Sequence, residues 1–586
     1  MLRHRLRGRR NLLAGLLVAM AAIGSSISTR HNFFAQDDVP LVIEDARAHD
    51  IKLVDRIFTE GYWPPPYPRD LYRPLTSLLI SLEWQMGGGA PFSYKCVQIA
   101  IYAASSIAVL ILALQLLPFW GAVAAALFFA VHPVHVEAVA LAVNQAEVIV
   151  GLIASLAVAW YINRRREGPL DLRAAFGLGL TTLIAAHFKE TGLMIAPLLV
   201  ATELFVIPAT PGRWRLTRPV WLVQLLAGTI TIAIRSQVQT DRLSGTFIAE
   251  VFEHSTVWNR FETMLRVVPE WLRLHLWPAT LQADYSPQVI TQATGWAYDQ
   301  WLGLAIIVLV GVLAIRLFRR APIVLFGVAW VAIALFPVSN VLVPTGIPMA
   351  ERTLFLSSIG AMLAVVAFGL EGLRGIAPER RQLAGRLAAA FVVVVAILGV
   401  SRSYSRHKIW RNSMTMWSQT VVDAPDGYRS WVAFGSLAYR IVGHERGINA
   451  YHIALRLYDK AEGPIIQLAE WYRVADQCPT AIPLYYKALA LREFAPAMAS
   501  LAACLAWEGD YAATKAIALR GLRTGYYGGV FHVWFRTALD AERSHAPIHT
   551  VRFPAGHGYL FNEPAPNPAG VEMGGKLVAE PAVEKP

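Results

Sequence analysis

The placement of arginine between apolar stretches leaves this chain few folds. Apolar runs near the 20 residues that a helix needs to cross a bilayer recur along it. They lie at about 12–27, 94–117, 120–139, 147–162, 173–187, 190–207, 219–235, 300–317, 321–340, 353–371 and 385–401. Alternate loops carry arginines: Arg164–Arg166, then Arg213, Arg215 and Arg218, then Arg316, Arg319 and Arg320, then Arg374, Arg380, Arg381 and Arg386. Loops rich in Arg stay cytoplasmic, so one topology satisfies all of them, with the Arg-rich N-terminus inside as well. The fold class is all-α, a polytopic bundle of about eleven transmembrane helices. The first run is read as an uncleaved helix rather than a cleaved signal. Residues 72–86, shorter and bearing Glu83, read as interfacial or re-entrant.

Composition agrees. Of 586 residues, 55% are hydrophobic and 16% are charged, against about 25% charged in soluble domains. The net charge of +12 is accounted for by the cytoplasmic loops, and no basic, aromatic-interleaved face for nucleic acid stands out.

The same topology sends most other ionisable residues near the spans to the opposite, extracytoplasmic face. These include the pair Asp37-Asp38 just after the first span, Arg73, His132 to Glu147, Lys189-Glu190, the 236–299 loop and Glu351-Arg352. Residues 41–60 place Ile51, Val54, Ile57 and Phe58 at helical spacing, which predicts an amphipathic helix on the membrane surface. Gly61 to Asp70 is proline-rich and extended, with aromatics suited to headgroups or to stacking on a sugar.

After Arg402 the composition turns soluble. Leu468 to Ala488 is echoed by Leu501 to Ala518 at an offset of about 33 residues, near the 34 of tetratricopeptide helix pairs. A weaker unit spans Ser430 to Leu457. The organisation expected is a membrane domain over 1–401 with an outer loop at 30–74, a tetratricopeptide-like domain over 402–551, and a disordered tail over 552–586. Cys96 reads as a small core residue. Cys478 and Cys504 form no metal motif, and they can pair if their region is extracytoplasmic, although spacing alone does not fix the geometry.

Adjacent carboxylates at a membrane surface are costly unless chemistry uses them. Each raises the pKa of the other, so one can act as a base while its neighbour orients it. Asp38 is slightly favoured as the base, with Asp37 orienting it or helping to hold a divalent ion. His132-Pro133-Val134-His135-Val136-Glu137 ends a span; it can cap the helix, position substrate or hold a metal. Asn144-Gln145-Ala146-Glu147 opens the next span on the same side. Lys189 and Glu190 can pair with each other, or Lys189 can face a phosphate. Glu351-Arg352 brings an arginine suited to bidentate phosphate recognition. Carboxylates beside fixed cations are what transfer from a lipid-phosphate-linked sugar requires: a base for the acceptor hydroxyl and cations for the departing phosphate.

In series, Asp37-Asp38, Arg73-Pro74-Leu75, His132-Pro133-x-His135-x-Glu137-Ala138-Val139, Lys189-Glu190-Thr191, Pro337-Val338-Ser339-Asn340 and Glu351-Arg352-x-Leu354 resemble one family. It is the transmembrane and tetratricopeptide-repeat O-mannosyltransferase-like family, within the GT-C superfamily of polytopic glycosyltransferases. The resemblance implies a polyprenyl- or dolichyl-phosphate-linked sugar donor, with mannose a candidate, inverting transfer and a first-loop Asp as the central acid. The chain departs from the family at Asn144-Gln145-Ala146-Glu147, where Gly-Arg-Ala-Asp is usual, and at Phe355 and Ser357.

The function expected is a membrane glycosyltransferase moving a sugar to a hydroxyl acceptor, Ser or Thr of a protein among the candidates. Its catalytic residues are Asp37 and Asp38. Arg73, His132, His135, Glu137, Glu147, Lys189, Glu190, Glu351 and Arg352 bind substrate, and no metal ligands are assigned. Magnesium or manganese is admitted as a cofactor without being required. The partners are the lipid-linked donor, an acceptor polypeptide or glycan, and the bilayer, with no nucleic acid. The location expected is a bacterial inner membrane with the site and repeats in the periplasm. Rival readings are a transporter of lipid-linked or small polar substrates and a non-enzymatic scaffold built on the repeats.

Overall fold

The computed structural model describes residues 2–64, 71–209, 211–238, 248–525 and 528–544, and among these there are helices and no strands. Most of the predicted proline-rich segment, 65–70, and the whole predicted tail lie outside the described residues. Two compact units emerge, Met1–Tyr285 with Ile290–Asp423, and Ser286–Val289 with the chain from Ala424 onward.

The first unit is a helix bundle. Its helices are α1 (Leu2–Ser26), α2 (Pro74–Gly87), α3 (Pro91–Leu116), α4 (Phe119–Ala130), α5 (Val136–Ala140), α6 (Gln145–Glu167) and α7 (Leu172–Phe188). They continue with α8 (Ile195–Phe205), α9 (Arg218–Val238), α10 (Val257–Leu276), α11 (Tyr298–Leu317), α12 (Pro322–Leu335), α13 (Phe355–Arg374) and α14 (Pro378–His407). Seven helices among the described residues are long and apolar enough to cross a membrane, and α4 with α5, bent by 45°, makes an eighth candidate span.

The eleven expected spans thus resolve into eight, plus the shorter helices α7, α8 and α12. The shortfall has a local cause. The chain leaves regular helix for 3-10 turns at Glu190–Met194 and Phe336–Val338, next to α7, α8 and α12. Irregular backbone within a bilayer is tolerated only where protein covers it or it lines a cavity; Thr191 and Gly192 are buried in the first turn, whereas Phe336 is exposed in the second. The core is dominated by Ala, Val, Leu and Phe from α3, α4, α6 and α13. Small residues allow close approach between spans. Gly327 of α12 and Gly360 of α13 face each other so closely that a Cβ on either would stand 2.4–2.6 Å from the other's carbonyl oxygen.

Charge is segregated along the bundle. At one end Arg10 lies over the ring of Phe119, Arg166 bonds Gln115, Arg165 pairs with Glu203, and Arg213 reaches the Glu203 carbonyl. Arg374 and Arg381 line a cleft with Pro118 at that same end. The carboxylates and cations singled out above gather at the other end.

Two expectations change here. Residues 41–60 are not one amphipathic helix but a π turn at Val39–Ile43, short helices at Ala46–His49 and Val54–Thr59, and a 3-10 turn between those. Asp45 and Asp50 accept the amides of Arg47 and Lys52, local bonds that compete with a continuous helix. Ile57 is buried, while Ile51 and Phe58 are exposed. Cys96, expected in the core, is exposed on α3, on the outer side of a span whose opposite face carries the buried Lys95 and Gln98.

In the second unit three antiparallel helix pairs and a closing helix follow one another: α15 (Tyr428–Ile441) and α16 (His444–Leu457), α17 (Glu462–Val474) and α18 (Cys478–Leu491), α19 (Ala495–Trp507) and α20 (Tyr511–Leu522), then α21 (Gly528–Ser544). Successive first helices begin 34, 33 and 33 residues apart, at Tyr428, Glu462, Ala495 and Gly528. Alanines fill the contact faces, twelve consecutive residues from Ala495 to Ala506 being buried. Cys478 and Cys504 form a disulfide in this core, with Cα atoms 5.1 Å apart. The short segment Ser286–Val289 belongs to this unit, where the Gln288 amide donates to the Asp426 carbonyl and the Tyr428 amide to Pro287.

Candidate active site

Asp37 and Asp38 sit in a tight turn in which the Asp38 amide donates to Ala35 and the Val39 amide to Gln36. Gln36 takes φ of +49°, a left-handed conformation that is costly without glycine. The turn gives the two acids opposite surroundings. Asp38 is fully buried; its Oδ2 accepts the Ala142 amide and its Oδ1 the Val143 amide, each at 3.0 Å, and Lys95 Nζ lies 3.5 Å away. Asp37 is half-buried and makes no hydrogen bond or ion pair among the described residues. Burial pushes the Asp37 carboxyl above the usual carboxylate range, Arg352 draws it down, Asp38 adds to the rise, and Arg73 and Lys189 draw it down further.

The free carboxylate is Asp37, the reverse of the order favoured from sequence. Both oxygens of Asp38 accept backbone amides, while those of Asp37 accept none among the described residues. Among the described residues no three His, Cys, Asp or Glu side chains come together as a ligand set.

Each cation that acts on Asp37 is held by a carboxylate from another part of the chain. Arg352 pairs with Glu137, whose other oxygen accepts the Arg352 amide at 2.8 Å. Lys189 pairs with Glu147 at the start of α6. Arg73 donates from Nε and Nη2 to Glu190 at 2.9–3.2 Å, and Arg235 donates to the same carboxylate at 2.8 Å. Lys189 and Glu190 therefore do not pair with each other; successive residues serve different partners. Their turn depends on Gly192, where a Cβ would lie 2.3 Å from the backbone of Ala185, so only glycine fits. Tyr62 is buried with its ring 5.1 Å from the Arg73 guanidinium, in the protein interior rather than among headgroups.

The remaining expected site residues support this arrangement without facing Asp37. Glu351 is buried and accepts the Gln282 amide at 2.6 Å and the Tyr285 hydroxyl at 3.1 Å, which fixes the backbone just before Arg352. His132 accepts the Val134 amide on Nδ1, so Nε2 carries hydrogen and donates to the His275 carbonyl. His135 is enclosed by Phe129 and Phe355, one ring nitrogen on Tyr102 and the other on Ser358. Both histidines pack and cap here, with each ring nitrogen engaged by a protein partner. Asn340, at φ +56°, bonds the carbonyls of Val338, Ile347 and Pro348 and the Thr345 amide, shaping the loop that leads to Glu351.

Sequence reasoning passed over Lys95, Gln98 and Arg235. Lys95 had a readable signal, since an ionisable residue inside an apolar span marks a functional hypothesis. Arg235, at the last turn of a span, is indistinguishable in sequence from a snorkelling arginine.

Comparison with known proteins gives relatives of one kind. The chain is 22% identical over 509 residues to protein O-mannosyl-transferase TMTC3 of Homo sapiens, covering 78% of this chain and 53% of that protein. It is 23% identical over 495 residues to protein O-mannosyl-transferase Tmtc3 of Drosophila melanogaster, covering 70% and 52%. Over a shorter stretch of 140 residues it is 31% identical to protein O-mannosyl-transferase TMTC2 of Mus musculus, covering 23% and 17%. The chain spans about half the length of the curated relatives it matches. No protein-family model matches it, and no solved structure does. The relatives agree with the resemblance to the transmembrane and tetratricopeptide-repeat O-mannosyltransferase-like family.

Proposed function

We propose, taking this kinship as the premise, that the protein is a membrane glycosyltransferase that moves mannose from a polyprenyl-phosphate-linked donor to a Ser or Thr hydroxyl of a polypeptide. The reaction takes place on the extracytoplasmic face, which is the periplasm in a bacterial host. The observation that carries the reading is the Asp37 carboxylate, without a partner among the described residues and acted on by three anchored cations.

In this reading Asp37 takes the proton of the acceptor hydroxyl as its oxygen attacks the anomeric carbon. The bond from that carbon to the phosphate oxygen breaks, and its electron pair leaves with the lipid phosphate. Arg352, Lys189 and Arg73 meet the negative charge that develops there. Because Glu137, Glu147 and Glu190 hold those cations in place beforehand, little reorganisation is needed at the moment of reaction. Attack from the face opposite the phosphate inverts the anomeric centre. The helical-repeat unit holds the acceptor polypeptide, since stacked helix pairs present an extended surface to peptides.

The test is reconstitution of the full chain in nanodiscs with polyprenyl-phosphate-linked tritiated mannose and a Ser/Thr-rich peptide. Label transferred to peptide, abolished in Asp37→Asn, supports the reading. Donor carried across a liposome membrane without bond cleavage would favour a transporter instead.

A further inference from the structure

Between α5 and α6 the chain leaves helical geometry at Leu141, with φ −102° and ψ 133°. Three backbone groups there, the Ala140 carbonyl and the Ala142 and Val143 amides, would be orphaned in the bundle interior; the Leu141 carbonyl accepts the Asn144 amide at 3.1 Å and takes a side-chain donor as well. Lys95 donates to the Ala140 carbonyl and Gln98 to the Leu141 carbonyl, both from α3, while Asp38 accepts the Ala142 and Val143 amides. Lys95 and Asp38 are each 0% exposed and pair with each other.

The clamped stretch carries more than itself. Glu137, which anchors Arg352, lies just before it, and Glu147, which anchors Lys189, lies just after it. The Asn144 side chain bonds the Glu137 carbonyl at 3.1 Å, tying the two sides of the break together. Asp37 is covalently next to Asp38. The free carboxylate and two of the cations around it are therefore referred to one short piece of irregular backbone.

We propose that Lys95 is a positioning residue that sets the Asp37 carboxylate in register with Lys189 and Arg352, by holding Asp38 and the Ala140 carbonyl to the same break. It touches neither donor nor acceptor. Its effect runs through Asp38 on one side and through Glu137 and Glu147 on the other. A displacement of about 1 Å in a reacting group can cost roughly 10²-fold in rate, so loosening this register lowers turnover more than donor binding. The inference rests on the proposed role of Asp37 as base.

The experiment compares Lys95→Met with the doubly neutral Lys95→Met/Asp38→Asn, each as the full chain in nanodiscs with polyprenyl-phosphate-linked tritiated mannose. Wild-type protein is assayed first; absence of mannose transfer there defeats the proposed function itself, before any variant is compared. Lys95→Met is expected to melt lower, because it leaves Asp38 buried without its cation, and to lose at least about tenfold in kcat with donor KM little changed. The double variant removes both charges but still sets an Asn NH2 against a backbone N–H, so it is expected to recover part of the melting temperature lost in Lys95→Met while kcat stays low. Recovery of kcat together with stability would make Lys95 a purely structural residue and overturn the proposal. Should neither variant insert, Gln98→Leu, which removes the α3 donor from the Leu141 carbonyl and leaves it only the Asn144 amide, decides: lowered kcat at constant KM supports the clamp, and unchanged kcat overturns it.

Discussion

Asp37 and Asp38 are adjacent in the chain and opposite in environment: Asp38 is sealed against the amides of Ala142 and Val143, and Asp37 feels the charge of Arg352, Arg73 and Lys189 without bonding any of them. Their Asn variants should therefore fail differently. Asp37→Asn should fold and insert, bind donor and transfer at least about a hundredfold more slowly, since a positioned base contributes roughly 10²–10⁴-fold. Asp38→Asn must turn an NH2 group against a backbone N–H, at a cost of about 1–3 kcal/mol, and should melt lower than wild type. Thermal melts run beside transfer assays separate the two. Equal loss of stability in both would contradict the division of roles.

The pH profile follows from the raised pKa of Asp37. The base form disappears as pH falls through that pKa, so the acid limb of kcat/KM should lie above the ordinary Asp value of about 3.9. The stability sign is opposite to that of a salt-bridged acid. A folded-state pKa above the unfolded one means the folded state binds the proton more tightly, so ionising Asp37 weakens the fold as pH rises through the window between the two values. Asp37→Asn should thus be neutral or slightly stabilising near pH 7. A lower melting temperature for that variant at neutral pH would speak against a desolvated carboxylate.

Arg352, partly exposed, pairs with the buried Glu137, and donor affinity should depend on that pair. Losing a charge-assisted phosphate contact costs about 1.5–3 kcal/mol, so Arg352→Ala should weaken donor binding by very roughly ten- to a hundredfold. Glu137→Gln keeps the shape but leaves Arg352 without its counter-charge, and should lower melting temperature and turnover together. Filter binding of the tritiated donor measures the first effect. Unchanged affinity in Arg352→Ala would remove that residue from the site.

The Cys478–Cys504 bridge closes a loop of 26 residues, for which chain entropy predicts about 3 kcal/mol. Cys478→Ser should lower the melting transition of the helical-repeat unit, and reducing agent should reproduce the loss in wild type. An unchanged transition in both would mean the alanine-rich core is sufficient by itself.

Membrane orientation is open to direct labelling. A cysteine introduced at the exposed Arg164 or Arg381 should resist an impermeant maleimide applied from outside, and one at an exposed outer-loop position such as Thr59 should react. Outside labelling at Arg164 would invert the topology and with it the assignment of the site to the extracytoplasmic face.

What the sequence determined is what composition and period control. Runs of apolar residues must become helices in a bilayer, because no other backbone satisfies its own hydrogen bonds there. Charge bias then divides loops between two faces, and the Arg-rich and carboxylate-rich ends of the bundle are segregated as that bias requires. The 33-residue echo of Leu468 and Leu501 became helices starting 33 residues apart, since paired helices of fixed length repeat at fixed intervals. Tertiary structure alone decided the partners. Lys189 and Glu190 are neighbours in sequence, yet a 3-10 turn points one at Glu147 and the other at Arg73 and Arg235. His132 and His135 have metal-like spacing, yet their nitrogens are spent on Val134, His275, Tyr102 and Ser358. Asp37 and Asp38 are the same residue type side by side, and only the break at Leu141, brought against one of them from 104 residues away, made one a structural anchor and left the other free. Long-range contacts of this kind depend on where irregular backbone needs partners, and periodicity carries no record of that.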